Sequence, residues 1–185
     1  MANELSGKQV AILVTRGFEQ VEMTEPRQAL PKAGATTAIV SPEKGRVRAW
    51  NHTEWGDEFP VDVSLDEANP GDYAALLLPG GVMNPDRLRM DERAVDFVRT
   101  FAEGGKPIAV ICHGAWTLIE ADSVRGKTMT SYPSLKTDLM NAGANWVDKE
   151  VVVDGNLVSS RNPDDIPHFN REMIAVFARE AERVR

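Results

Sequence analysis

The residues best suited to chemistry in this chain are Cys112 and His113, which close the apolar run Ile108-Ala-Val-Ile and stand directly before Gly114. A thiol that leaves a buried strand and turns at once into a helix sits on a nucleophile elbow. The backbone at such a turn is often strained, the side chain is pushed out above the sheet edge, and the N–H groups that follow favour negative charge. An ordinary thiol, with a pKa near ~8.5, is only a few per cent ionised at neutral pH, and a helix start lowers that value. The arrangement predicts a Cys112 thiolate able to attack a carbonyl carbon. The same spacing also suits a small buried hydrophobe followed by a polar helix-start residue, and adjacent side chains rarely face each other. The pair alone does not make a dyad.

Two further groups belong at the same end of a parallel sheet, where ligands sit beyond the carboxyl ends of the strands. Glu19 and Glu22 follow the first apolar run, and Pro79-Gly80-Gly81 follows the third. The glycine pair allows backbone N–H groups to approach a substrate oxygen and, with the amide of His113, to form an oxyanion hole; an ordinary turn reads the same way. Glu22 could exchange protons with the sulfur if apolar surroundings raised its pKa, whereas a solvated carboxylate before a helix is the plainer reading.

The elements that must position these residues are legible as apolar runs at 10–15, 37–40, 74–78 and 108–112, almost unbroken by polar residues, as strands buried on both faces should be. Helix-length segments lie between them at 25–33, ending at Gly34, and 91–102, ending at Gly104-Gly105. Pro31 should kink or shorten the first helix. A short helix is expected at 114–121, a short apolar segment at 128–130 and another helix at 134–142. Asp154-Gly155-Asn156 joins 151–153 to 157–159 as a β-hairpin, because Asp-Gly readily takes positive φ. A closing amphipathic helix buries Met173, Ile174, Phe177, Ala178 and Ala181. Residues 43–60, with Trp50, His52, Trp55 and Phe59 among charges, read as a long loop or small hairpin. No repeat or linker divides the 185 residues, so one α/β domain spanning 1–185 is expected.

Composition narrows the function. Twenty-one Lys and Arg against 28 Asp and Glu give a net charge of −7, which opposes a phosphate-tracking surface and argues against nucleic acid as a partner. The start MANELSGKQV has neither the basic opening nor the apolar stretch of a secretory signal, and the longest apolar runs are too short to span lipid. No membrane association and a cytoplasmic location are expected. The single cysteine excludes an internal disulfide. No P-loop or G-x-G-x-x-G is present, and the three histidines, His52, His113 and His168, have no ligand spacing, so neither a cofactor nor a metal is expected. His52 and His168 read as solvated or core-satisfied. A class I glutamine amidotransferase would need a late His followed two residues on by a carboxylate, but His168 is followed by Phe169 and Asn170.

Taken together, Phe18-Glu-Gln-Val-Glu22 before Pro26, Leu78-Pro-Gly-Gly81, Pro85-Asp-Arg87, Val110-Ile-Cys-His-Gly114, Thr130-Ser-Tyr-Pro133, Asn141-Ala-Gly143 and VVVDGNLVSSR at 151–161 closely resemble one family across essentially the whole chain. It is that of the PfpI-like intracellular proteases and general stress proteins, in the superfamily that includes the parkinsonism-associated deglycase. The resemblance implies a flavodoxin-like three-layer α/β/α sandwich with a mostly parallel sheet. It gives Cys112 as nucleophile, His113 as the adjacent catalytic His, Glu22 as the acid beside the sulfur with Glu19 near it, and Tyr132 on the substrate side. Gly80, Gly81 and the amide after Cys112 match the oxyanion hole. Asp86 aligns with a third triad member donated by a neighbouring subunit, which implies a homodimer or higher oligomer. Asp86 replaces a Glu of the proteases, the loop from Gly81 is one residue longer, and Ala115 replaces the usual Pro. The implied activity is that of a stress-response cysteine hydrolase or deglycase acting on glycated proteins, dicarbonyls or peptides. The alternative is a redox-sensing or chaperone-like protein whose Cys112 is oxidised to sulfinic acid without turnover.

Overall fold

The computed structural model describes residues 3–183, with side chains as far as Arg179, so the expected burial of Ala181 lies outside the described side chains. Seven strands form the main sheet: β1 (Gln9–Leu13), β2 (Thr36–Ser41), β5 (Val63–Ser64), β6 (Ala75–Leu78), β7 (Ile108–Ile111), β10 (Val151–Asp154) and β11 (Leu157–Ser160). Their order is β10-β11-β7-β6-β1-β2-β5. All neighbours are parallel except β10 and β11, the predicted hairpin, whose Gly155 takes φ +57°.

Alternation along each strand feeds two cores, because successive side chains point to opposite faces. Ala11 and Leu13 of β1 pack on one side with α3 (Glu92–Glu103), α4 (Ala115–Glu120) and α5 (Lys136–Asn141), through Val98, Phe101, Leu118 and Leu139. Val10 and Ile12 pack on the other side with α1 (Gln20–Lys32) and α6 (Ile166–Arg183), through Met23, Leu30, Phe169 and Met173. The result is the expected flavodoxin-like three-layer sandwich.

Three local features differ from the sequence reading or sharpen it. Helix α1 begins at Gln20 rather than 25 and runs through both Pro26 and Pro31 to Lys32. Each proline forgoes one intrahelical hydrogen bond, and the buried Met23 and Leu30 anchor the helix regardless. The early start puts Glu22 in its first turn. Residues 43–60 contain a two-stranded hairpin, β3 (Arg46–Asn51) with β4 (Glu54–Pro60), whose register shifts between Arg48 and Trp50. The segment at 128–130 becomes β8 (Thr128–Met129), paired in parallel with β9 (Asn145–Trp146) in a separate two-stranded sheet.

The chain leaves β1 for β2 and returns to the opposite side of β1 as β6, so its direction of winding reverses between β1 and β6. The carboxyl ends of β1, β6 and β7 are neighbours at that reversal, where an open sheet leaves a crevice.

Candidate active site

Strand β7 ends in a single 3-10 turn, Cys112–Gly114, before α4. Cys112 holds φ +64°, in the left-handed region that costs an L-residue with a Cβ about 1 kcal/mol or more. This is the strain that an elbow imposes. It also swings the two neighbouring side chains together: Cys112 Sγ lies 3.2 Å from His113 Nδ1. The pairing that sequence adjacency left open is therefore made.

Glu22 rises from α1 beneath the sulfur, fully buried, and among the described residues none forms a well-aligned hydrogen bond to either of its carboxyl oxygens. The thiol of Cys112 and the N–H groups of Gly80 and Gly81 surround the carboxyl. Burial, reinforced by the charge of Glu19, pushes the Glu22 pKa up to about 8, so it is protonated at neutral pH. His113 is pushed below its ordinary value by burial, which favours the neutral ring.

The expected lowering of the Cys112 pKa is not met. With 7 % of its surface exposed, the thiol is pushed up, first by burial and next by the Glu22 charge. The N–H groups of His113 and Gly81 act in the opposite direction and are outweighed by that burial and charge. At pH 7 the neutral Glu22 exerts no such charge, and burial is what still favours the protonated thiol.

The glycine pair is sterically required. A Cβ on Gly80 would stand 2.7 Å from both Cys112 Cβ and Glu22 Oε1, and one on Gly81, at φ +77°, 2.7 Å from the Gly17 carbonyl oxygen. This loop is fixed by Asn84, which lies in α2 (Met83–Leu88). The buried Asn84 side chain donates to the Pro79 and Gly80 carbonyls at 3.1 and 3.2 Å and accepts the Thr15 N–H at 2.7 Å, tying the ends of β1 and β6 together.

A cavity of about 450 Å³ opens over the sulfur, with Cys112, His113, Glu19, Glu22, Gly81 and Tyr132 in its lining. Gly80 lies directly behind Cys112. Tyr132, half exposed, stacks on the His113 ring with centroids 4.5 Å apart. Asp86 is exposed on α2 and is not part of this lining.

The structure adds residues that the sequence reading passed over. Trp50 and His52, from the β3–β4 hairpin, form part of the cavity wall. His52 donates its backbone N–H to Glu19 Oε1 at 3.1 Å, and its Nδ1 lies 3.8 Å from the same oxygen. It is thus solvated, as expected, yet it belongs to the cavity rim. Its φ of +56° at an Asn-His turn is visible only in three dimensions. Ser134 Oγ lies 3.4 Å from His113 Nε2. His168 lies on the surface, 3.0 Å from Glu150.

Comparisons with known proteins agree with this geometry. Residues 8–176 match the model of the DJ-1/PfpI family. General stress protein 18 of Bacillus subtilis is 46 % identical over 172 residues, covering 92 % of this chain and 98 % of that one. Protein/nucleic acid deglycase 2 of Escherichia coli is 44 % identical over 168 residues, covering 90 % and 96 %. The crystal structure of Drosophila melanogaster DJ-1beta superposes with a TM-score of 0.82 at 26 % identity, over 96 % of this chain and 97 % of that one. An elbow cysteine beside a buried glutamate, on this sheet and with these relatives, leads to one conclusion: the chain belongs to the DJ-1/PfpI family.

Proposed function

We propose that this protein is a cysteine-dependent hydrolase or deglycase of the stress response, acting on carbonyl groups of dicarbonyls, glycated proteins or peptides. The observation that carries this reading is the 3.2 Å contact between Cys112 Sγ and His113 Nδ1 at a left-handed elbow that opens into a cavity of about 450 Å³. The name of the Escherichia coli relative, a protein/nucleic acid deglycase, favours carbonyl adducts as the substrate class.

Because the thiol keeps its proton at rest, attack is coupled to proton transfer. As the Cys112 S–C bond forms, the thiol proton passes to His113 Nδ1 and the carbonyl electron pair moves onto oxygen. The N–H groups of Gly81 and His113, already directed at the sulfur, are the donors this reading assigns to the oxygen as it develops charge. Neutral Glu22 keeps a second negative charge away from the reacting sulfur.

Purified protein is expected to release lactate from methylglyoxal or its adducts, and Cys112→Ala is expected to abolish release. Equal inertness of both proteins on dicarbonyls and peptides would overturn the reading.

A second reading is favoured by one observation, the protonated carboxyl against a lone sulfur: the protein senses oxidants by forming a sulfinic acid at Cys112, which Glu22 would stabilise by donating a hydrogen bond. Intact mass after mild peroxide should then rise by two oxygens at Cys112. No gain at any dose would exclude sensing.

A further inference from the structure

The imidazole of His113 is held on three sides by its own chain. Nδ1 faces Cys112 Sγ at 3.2 Å, Nε2 faces Ser134 Oγ at 3.4 Å, and the ring face lies against Tyr132 at an interplanar angle of 26°. Trp116 meets the ring edge-on at 5.1 Å between centroids. A neutral imidazole carries one proton and one lone pair, so a contact at either nitrogen decides what the other can do. If Cys112 holds its proton, the S–H facing Nδ1 needs a lone pair there. The ring proton then sits on Nε2, where the hydroxyl oxygen of Ser134 is within reach to accept it.

We propose that Ser134 is a positioning residue: it accepts the Nε2 proton of His113 and so fixes the tautomer whose Nδ1 takes the proton of Cys112 during attack. The proposal rests on the reading of Cys112 as a nucleophile activated by His113. It gives to a residue of the same chain the place that the family resemblance gives to Asp86 of a neighbouring subunit. A hydroxyl orients the ring without the charge of a carboxylate, which matches a dyad that is neutral until a substrate arrives. The ordering is sulfur, imidazole, hydroxyl, with Tyr132 fixing the ring plane.

The test uses nitrogen-15 NMR of the His113 ring and the rate of Cys112 alkylation by iodoacetamide at pH 7, neither of which needs a natural substrate. Wild type is expected to show the proton on Nε2. Ser134→Ala should give a mixture of tautomers and slower alkylation, by about fivefold if one hydrogen bond of ordinary net strength is lost. Ser134→Thr, which keeps the hydroxyl, should restore both. The proposal is overturned if wild type carries the proton on Nδ1, or if Ser134→Ala changes neither the tautomer nor the rate. It is equally overturned if Asp86→Asn slows alkylation while Ser134→Ala does not. Failure of lactate release with the Ser134 effects intact would overturn the enzymatic reading and leave this one standing.

Discussion

At Glu22 the protein keeps a carboxyl where water cannot reach it. Its pKa is about 8 in the fold against an ordinary 4.5, so between those values the folded chain binds more protons than the unfolded one. Stability should therefore fall as pH rises from about 4.5 to about 8, by a few kcal/mol in total, and level off above. Glu22→Gln, which cannot ionise, should abolish this slope: urea melts at pH 5 and pH 9 should show the variant gaining on wild type only at the higher pH. The same change removes the charge that opposes thiolate formation, so alkylation of Cys112 at pH 9 should be faster in Glu22→Gln than in wild type. At Gly80 a methyl group would collide with Cys112 Cβ, Glu22 Oε1 and the Ile111 carbonyl. Gly80→Ala should cost about 1–3 kcal/mol by overpacking and should slow alkylation. Cys112 and His113 were legible in the sequence because a strand end, a thiol and Gly114 lie contiguously in it, and the glycine pair because it follows directly on another apolar run. The pKa of Cys112 was not, since burial and Glu22 arrive from elsewhere in the chain. Ser134 and His52 were missed for the same reason, both being polar residues in turns with no periodicity to mark them.

Elements place these groups through a few bonds between segments distant in sequence. The Gly17 N–H donates to the Arg48 carbonyl at 2.9 Å and the Trp50 N–H to Phe18 at 2.7 Å, so the β3–β4 hairpin grips the stretch that carries Glu19. Gln20 and Asp57 add a reciprocal pair at 2.8 and 2.9 Å. Asn84 does the same for the ends of β1 and β6. Asn84→Leu would leave the Thr15 N–H unpaired and two carbonyls underused, at a cost of about 1–3 kcal/mol for the buried donor. A lower urea midpoint with an unchanged m value is the expected observation. Strands β1, β2, β6 and β7 were readable to within two residues, because burial on both faces leaves uninterrupted apolar runs, whereas the two-residue β5 and β9 were not, being too short to show a pattern. The start of α1 was not, because the buried packing of Met23 carries the helix back across Pro26 to Gln20, ahead of the expected start at 25.

For the whole molecule, sheet order is the property least visible along the chain: nothing local announces that β6 pairs with β1 on the side away from β2. That order nevertheless creates the crevice. It also predicts how the molecule opens. The central strands β1, β6 and β7 are flanked on both sides and covered on both faces, whereas β4 is paired on one side only and β3 meets, beyond β4, just a short bridge to residues 17–19. Native-state hydrogen exchange should show the central amides exchanging only through global unfolding and the hairpin amides at lower free energy.

The left-handed backbone at position 112 has a consequence for how such a protein can change over generations. Glycine would sit there without steric strain, so Cys112→Gly should be more stable than Cys112→Ala, by about 1 kcal/mol or less once its extra unfolded-chain entropy is counted. A mutant library sorted only for soluble yield after heating should thus enrich glycine at this codon, and one sorted for capture of an electrophile should retain sulfur.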